Sequence, residues 1–76
     1  VNGELRQDAD TSDLVFGPQA IVAFLAETNT LFPGDLILTG TPSGVGMSMD
    51  PRRFLSSGDV VRIEIESLGH IEHAIA

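Results

Sequence analysis

The chain has 76 residues, with 11 acidic and 4 basic side chains and a formal net charge of −7. This acidic balance argues against a nucleic-acid partner and an anionic membrane surface, because both require a basic face. No apolar run approaches the ~20 residues that span a bilayer, and the absence of cysteine excludes disulfides and thiolate metal sites. We expect a single small domain of a cytoplasmic protein, with only a small core of its own.

The first residues predict a tight turn. Asn2-Gly3 favours a two-residue type I′ hairpin loop, in which both central residues have positive φ. Only Val1 precedes this turn, so we expect the chain to be truncated, with the partner strand lost upstream. Leu5–Gln7 would continue the strand that leaves the turn.

A helix is predicted from Pro18 to Thr28. Gly17-Pro18 marks its start, because proline at the first helical position lacks only an N–H that would be unpaired there anyway. Apolar residues then recur at spacings of three and four, which places a stripe on one face. The stripe comprises Ile21, Phe24, Leu25 and the methyl group of Thr28.

The second half predicts strands and turns. Pro33-Gly34-Asp35 is a turn, Leu36–Thr39 is a short buried strand, and Gly40–Gly46 is a loop rich in glycine. Val60–Glu66 alternates apolar and polar residues with period two, and His70–Ile75 runs back antiparallel to it. The predicted fold is mostly β with one helix, an α+β arrangement of about five short strands.

The glycine loop is the most informative segment for function. Thr41 follows the predicted strand directly, so rigid β structure would hold its hydroxyl in place. Glycine lets a ligand approach the main chain closely, and backbone N–H groups in such a turn can bind an anion. No lysine follows the glycines, as a Walker loop would require. The pattern suits a small keto acid, and an ordinary turn is the alternative on spacing alone.

Two groups of carboxylates resemble metal ligands. Glu64 and Glu66 would share one face of a strand, and two carboxylates there could meet a hard cation. We interpret them instead as the solvated face of that strand. Asp8, Asp10 and Asp13 lack the glycine and the distal glutamate of a calcium-binding EF-hand loop, so we predict that they cap a turn.

Histidine and arginine side chains offer two further hypotheses. His70 and His73 suggest a general base, but residues three apart on a strand face opposite sides and cannot form one site together. We interpret both as surface residues. Arg52 and Arg53 could attract an anionic substrate, although a solvated loop is the simpler interpretation.

Several motifs in register resemble the C-terminal part of the fumarylacetoacetate hydrolase family. The order and spacing match over nearly the whole chain. The matching segments are Val1–Gln7, Asp10–Phe16, Pro33–Gly46, Gly58–Val61 and Leu68-Gly69. The chain is similar to the smaller members, which include acylpyruvate hydrolases, oxaloacetate decarboxylases and hydroxyhepta-dienedioate isomerases.

The resemblance implies a partial domain, residues 1–76, from a mixed β-roll that usually forms a homodimer. It also implies Mg²⁺ or Mn²⁺, and sometimes Ca²⁺, held by a Glu-x-Glu pair and a later Asp, with a lysine and often a His-Glu pair assisting. All of these would lie upstream, so no metal ligand or catalytic residue is expected in this chain, which alone would be inactive.

The residue carried over is Thr41, the threonine of the Gly-Thr-Pro motif, as the group that contacts the keto acid, with Gly44 shaping the loop. The full-length enzyme would hydrolyse C–C bonds, decarboxylate or isomerise small 2-keto or enol acids, or acylpyruvates. A non-catalytic β-roll interaction domain and an inactive truncated product are the alternatives.

Overall fold

A computed structural model describes all residues 1–76, and the chain divides into two compact units. The first unit combines Val1–Asp8 with Ser43–Ala76, and the second is Ala9–Pro42. Helix α1 and strands β1 and β2 are accompanied by two short 3₁₀ turns, one before α1 and one between α1 and β1. Their bounds are Pro18–Ala26 for α1, Val60–Ile65 for β1, Gly69–Ala74 for β2, and Thr11–Asp13 and Gly46–Ser48 for the 3₁₀ turns. No helix is long and apolar enough to cross a bilayer.

Strands β1 and β2 form an antiparallel hairpin in the first unit. Its register follows the predicted alternation, which is confirmed. Apolar pairs such as Ile63↔Ile71 lie on one face, and polar pairs such as Glu64↔His70 lie on the other. Strand β1 ends one residue earlier than predicted, because Ser67 takes a positive φ of 65° in the turn that reverses the chain.

The predicted turn at the start of the chain is also confirmed. Asn2 and Gly3 have φ values of 50° and 78°, both positive as a type I′ loop requires. The Val1 amino group donates to the Glu4 carbonyl, and the Glu4 N–H donates to the Val1 carbonyl, each over 2.8 Å. These reciprocal bonds close a two-residue hairpin loop.

Asn2 ties this turn to the start of β1. Its N–H donates to the Val60 carbonyl over 2.8 Å, and its side-chain Oδ1 accepts from the Val60 N–H over 2.8 Å. Its Nδ2 donates to Asp59 Oδ1 over 2.9 Å. The same Asp59 accepts from the Ser56 N–H, and this bond is the main cause that lowers the pKa of its carboxyl. Asn2 therefore links residues that are 57 and 58 positions apart.

The second unit contains the helix. Gly17 caps α1 and Pro18 is its first residue, as predicted. The helix ends at Ala26 and not at Thr28, because the N–H groups of Glu27 and Thr28 bond to carbonyls three residues back. This change to 3₁₀ geometry tightens the last turn, and one further α-type bond, from the Asn29 N–H to the Leu25 carbonyl over 3.0 Å, follows it.

Asp10 and Asp13 form a cap at the 3₁₀ turn Thr11–Asp13, which confirms the prediction of turn capping for these two residues. Asp10 Oδ1 accepts from the Ser12 N–H over 2.9 Å, and this backbone bond lowers the pKa of the Asp10 carboxyl. In return, the Asp10 N–H donates to Asp13 Oδ2 over 3.4 Å, which completes a capping box.

The prediction of strands at Leu5–Gln7 and Leu36–Thr39 is wrong for this structure. Neither segment is paired in a sheet, because no neighbouring strand of the chain offers a hydrogen-bonding edge. Leu36 and Leu38 are 93% and 97% exposed, and no side chain of the chain is fully buried. The helix and the antiparallel hairpin agree with the predicted α+β class, while the complete β-roll stays a prediction.

Candidate functional site

The glycine loop begins in the second unit with Gly40, Thr41 and Pro42 and continues into the first unit from Ser43 to Gly46. Thr41, the predicted substrate-binding residue, is exposed. Gly40 and Gly44 both have positive φ, 96° and 108°. Glycine adopts such angles without steric cost, so the two glycines allow the left-handed backbone conformation of the loop at these positions.

Gly44 lies against the main chain of Arg6. A Cβ at this position would overlap the Arg6 carbonyl oxygen and lie 2.8 Å from Gln7 Cγ. No L-residue with a side chain fits here without moving the backbone. The close approach explains why glycine occupies the position that was predicted to shape the loop.

Gly46 makes a similar approach to Arg53. A Cβ on Gly46 would overlap the Arg53 carbonyl oxygen, and the Gly46 carbonyl accepts from the Arg53 N–H over 2.9 Å. The Met49 N–H also donates to the Gly46 carbonyl, over 3.3 Å. The second half of the loop is thus fixed by two close contacts, one with the Arg6 main chain and one with the Arg53 main chain.

A carboxylate connects these two arginines. Glu4 Oε1 accepts from Arg53 NH1 over 2.8 Å, and Glu4 Oε2 accepts from NH2 over 3.4 Å. Arg6 Nε lies 3.0 Å from Glu4 Oε1, but its N–H is not aimed at that oxygen, so this contact is an ion pair without a hydrogen bond. The hydrogen bond from Arg53, followed by its charge, lowers the pKa of Glu4 below its usual value.

Sequence reasoning missed this cluster. The sequence offers Arg53, together with Arg52, as an attractor of anions or as a solvated loop residue; in the structure Arg53 is exposed and also pairs with Glu4, 49 residues away. Its neighbour Arg52 is exposed and makes no ion pair. The only signal in the sequence was the presence of opposite charges in separate motifs, which cannot specify a partner.

The other candidate residues lie on the hairpin or in its turn, and no three of them converge on one site. The Glu64 carboxylate accepts from Arg62 NH2 over 2.8 Å, which lowers the pKa of Glu64, whereas Glu66 lies in the turn after β1. His70 faces Glu64, and His73 lies on the opposite face of the hairpin, as predicted. These side chains form the solvated surface of the hairpin.

The residues of this chain do not fit a divalent metal centre. No three histidine, cysteine, aspartate or glutamate side chains converge to hold a cation. The chain offers Thr41, an exposed residue, and a firmly held glycine turn. Hydroxyl and backbone N–H groups are hydrogen-bond donors that suit a carboxylate or a keto oxygen.

Comparison with known proteins gives a consistent result. A family model described as fumarylacetoacetate (FAA) hydrolase C-terminal matches residues 1–76. The chain is 48% identical over 75 residues to oxaloacetate tautomerase fahd2, mitochondrial, from Xenopus laevis, covering 99% of this chain and 24% of that protein. It is 49% identical over 71 residues to oxaloacetate tautomerase Fahd2a, mitochondrial, from Rattus norvegicus, covering 93% of this chain and 23% of that protein.

A relative from a third organism is similar to the chain to the same degree. The chain is 47% identical over 72 residues to the fumarylacetoacetate hydrolase domain-containing protein 2 homolog of Dictyostelium discoideum, covering 93% of this chain and 24% of that protein. The chain thus spans about a quarter of the length of these relatives. No solved structure matches it.

The expected cytoplasmic location is contradicted by these relatives, because several of their names place them in mitochondria. The expectation rested on the absence of cysteine, which is compatible with compartments other than the cytosol.

Proposed function

The chain belongs to the fumarylacetoacetate hydrolase family, and from this premise we propose that it is part of an enzyme that interconverts the keto and enol forms of oxaloacetate. The observation that carries the proposal is an identity of 48–49% to proteins named oxaloacetate tautomerases, over 93–99% of the chain. This choice selects isomerisation from the reactions that the sequence left open. Family membership alone does not distinguish it from C–C hydrolysis or decarboxylation.

The proposed role of this chain is to hold the substrate. The Thr41 hydroxyl would donate a hydrogen bond to a carboxylate or keto oxygen of the acid, supported by N–H groups of the glycine loop. Tautomerisation moves one proton from carbon 3 of oxaloacetate to the oxygen on carbon 2. A fixed donor would orient the acid for that transfer.

The proton-transfer groups belong to the proposed remainder of the enzyme. No metal centre is assembled from the residues of this chain, so the Mg²⁺ or Mn²⁺ that the family resemblance implies would be bound by carboxylates outside residues 1–76. We propose as well that the full-length enzyme forms a homodimer, as the family resemblance implies.

Thr41→Val in the full-length gene product tests the proposal, because valine keeps the shape of threonine and removes its hydroxyl. A hydrogen bond to a charged group contributes about 1.5–3 kcal/mol, so kcat/KM should fall about 10- to 100-fold. Thr41→Ser keeps the hydroxyl and should stay within about threefold of wild type. The assay follows the enol absorbance of oxaloacetate, with pyruvate formation measured alongside.

Two results would count against the proposal. If Thr41→Val matches wild type on both oxaloacetate and an acylpyruvate, Thr41 does not hold the substrate. If the wild-type protein releases pyruvate from oxaloacetate without accelerating the keto–enol conversion, the reaction is a decarboxylation.

A further inference from the structure

We infer that Glu4, Arg6 and Arg53 form a brace that positions the glycine loop for substrate binding. The inference rests on the proposed function of Thr41, and it assigns a positioning role to three residues that do not themselves touch the substrate. We call these three residues the Glu4 brace.

The first step is the double role of each arginine. The Arg6 carbonyl supports Gly44 and the Arg53 carbonyl supports Gly46, so the main chains of both arginines contact the loop. Their side chains meet at Glu4. The residues that support the loop on two sides are therefore the residues that one carboxylate holds together.

The second step concerns geometry. Arg53 reaches both Glu4 oxygens, at 2.8 and 3.4 Å, and a two-pronged contact of this kind restricts orientation as well as distance. The Arg6 side chain is only 17% exposed, so its ion pair with Glu4 is the more shielded of the two from water. Loss of the Arg53 guanidinium would release one support of the loop while leaving the glycines unchanged.

The third step separates positioning from stability. The Arg53 and Glu4 side chains are 47% and 52% exposed, and exposed ion pairs contribute little to the free energy of folding. A structural role alone therefore predicts little consequence for removing the pair. A positioning role predicts weaker substrate binding, because Ser43–Gly46, the part of the glycine loop in the first unit, would lose one of its two backbone supports.

The hairpin provides a matched control. Arg62 and Glu64 form an ion pair of the same length, 2.8 Å, with side chains 50% and 65% exposed, on strand β1. Neither Arg62 nor Glu64 is among the residues that lie against Gly44 or Gly46. Arg62→Ala should therefore leave the KM for oxaloacetate unchanged.

The test compares Arg53→Ala with Arg62→Ala in the full-length gene product. Arg53→Ala should raise the KM for oxaloacetate about tenfold with kcat within about twofold, since misplaced binding groups weaken binding. Arg53→Lys should give an intermediate KM, because one ammonium cannot reproduce the fork.

A double-mutant cycle with Thr41→Val links the brace to the loop. If the N–H groups of Ser43–Gly46 and the Thr41 hydroxyl bind the same acid, the effects of Arg53→Ala and Thr41→Val on KM should not be additive. Additive effects, or equal KM values in Arg53→Ala and Arg62→Ala, would overturn the inference while leaving the proposed function intact.

Hydrogen exchange gives a readout that does not depend on activity. Amides of residues 43–49 should exchange about tenfold faster in Arg53→Ala than in Arg62→Ala. If Thr41→Val has no effect on turnover, the proposed function fails, and exchange still decides whether the brace holds the loop. Equal exchange in the two variants would show that it does not.

Discussion

Replacing Gly44 by alanine tests how closely the glycine loop lies against the start of the chain. Two penalties combine at this position. The backbone has a φ of 108°, which side chains other than hydrogen rarely adopt, and the new Cβ would overlap the Arg6 carbonyl oxygen. The overlapping atom belongs to the main chain, so a rotation of a flexible side chain cannot relieve the contact.

Alanine substitutions at two other glycines measure the backbone strain and the overlap separately. Gly58 has a φ of 91° and open space where the methyl group of an alanine would lie, so Gly58→Ala reports backbone strain alone. Gly46 has no positive φ, yet its Cβ would overlap the Arg53 carbonyl oxygen, so Gly46→Ala reports overlap alone. All three glycines lie in the first unit, Val1–Asp8 with Ser43–Ala76.

The expected magnitudes follow from these environments. Left-handed backbone costs a non-glycine residue about 1–2 kcal/mol, which is the loss expected for Gly58→Ala. Overpacking costs about 1–3 kcal/mol, which is the loss expected for Gly46→Ala. Gly44→Ala should therefore lower the free energy of unfolding by about 2–5 kcal/mol, the sum of the two.

Urea denaturation of the full-length gene product, followed by far-ultraviolet circular dichroism, measures all three variants against wild type. The expected order of stability is Gly58→Ala above Gly44→Ala, with Gly46→Ala also above Gly44→Ala. A Gly44→Ala protein as stable as Gly58→Ala would refute the close contact with Arg6. A neutral Gly46→Ala would refute the contact with Arg53.

Three further predictions follow from the contacts of the first unit and from the exposure of the whole chain. The pKa of Glu4 is lowered in the folded protein. The ion pair between Glu4 and Arg53 therefore stabilises the fold above the ordinary glutamate pKa, about 4. This stabilisation is lost as the pH falls through the lower pKa of the folded protein. The difference in urea midpoint between wild type and Arg53→Ala should therefore shrink below about pH 4, and a difference that stays constant down to about pH 2 would contradict this. Asn2→Gly keeps the positive φ of the first turn but removes two side-chain hydrogen bonds, one with the Val60 N–H and one with Asp59 Oδ1. At about 0.5–1.5 kcal/mol for each bond, the free energy of unfolding in urea should fall by about 1–3 kcal/mol, and an unchanged midpoint would show that these bonds do not stabilise the fold. Finally, residues 1–76 produced alone should bind a hydrophobic dye and melt without a cooperative transition, because no side chain is fully buried; a sharp calorimetric transition would disprove that expectation.

The local structure of this protein follows from preferences that can be recognised along its chain. The Asn2-Gly3 turn, the helix start at Gly17-Pro18 and the period-two pattern of β1 all depend on neighbouring residues, whose φ preferences and side-chain spacing are visible in the sequence. The family motifs were recognisable for a similar reason, because they are short segments in a fixed order.

The contacts around the candidate site were decided by the tertiary structure. Thr41 and Gly44 could be chosen from the sequence, but the support of Gly44 by Arg6 and the pairing of Arg53 with Glu4 join residues 38 and 49 positions apart. The prediction of a strand at Leu36–Thr39 is wrong for the same reason. A strand requires the hydrogen-bonding edge of a neighbouring strand, and apolar residues alone do not supply one. Local preferences set the turns, the helix start and the hairpin, whereas the partners of charged and closely packed residues depend on which distant segments meet.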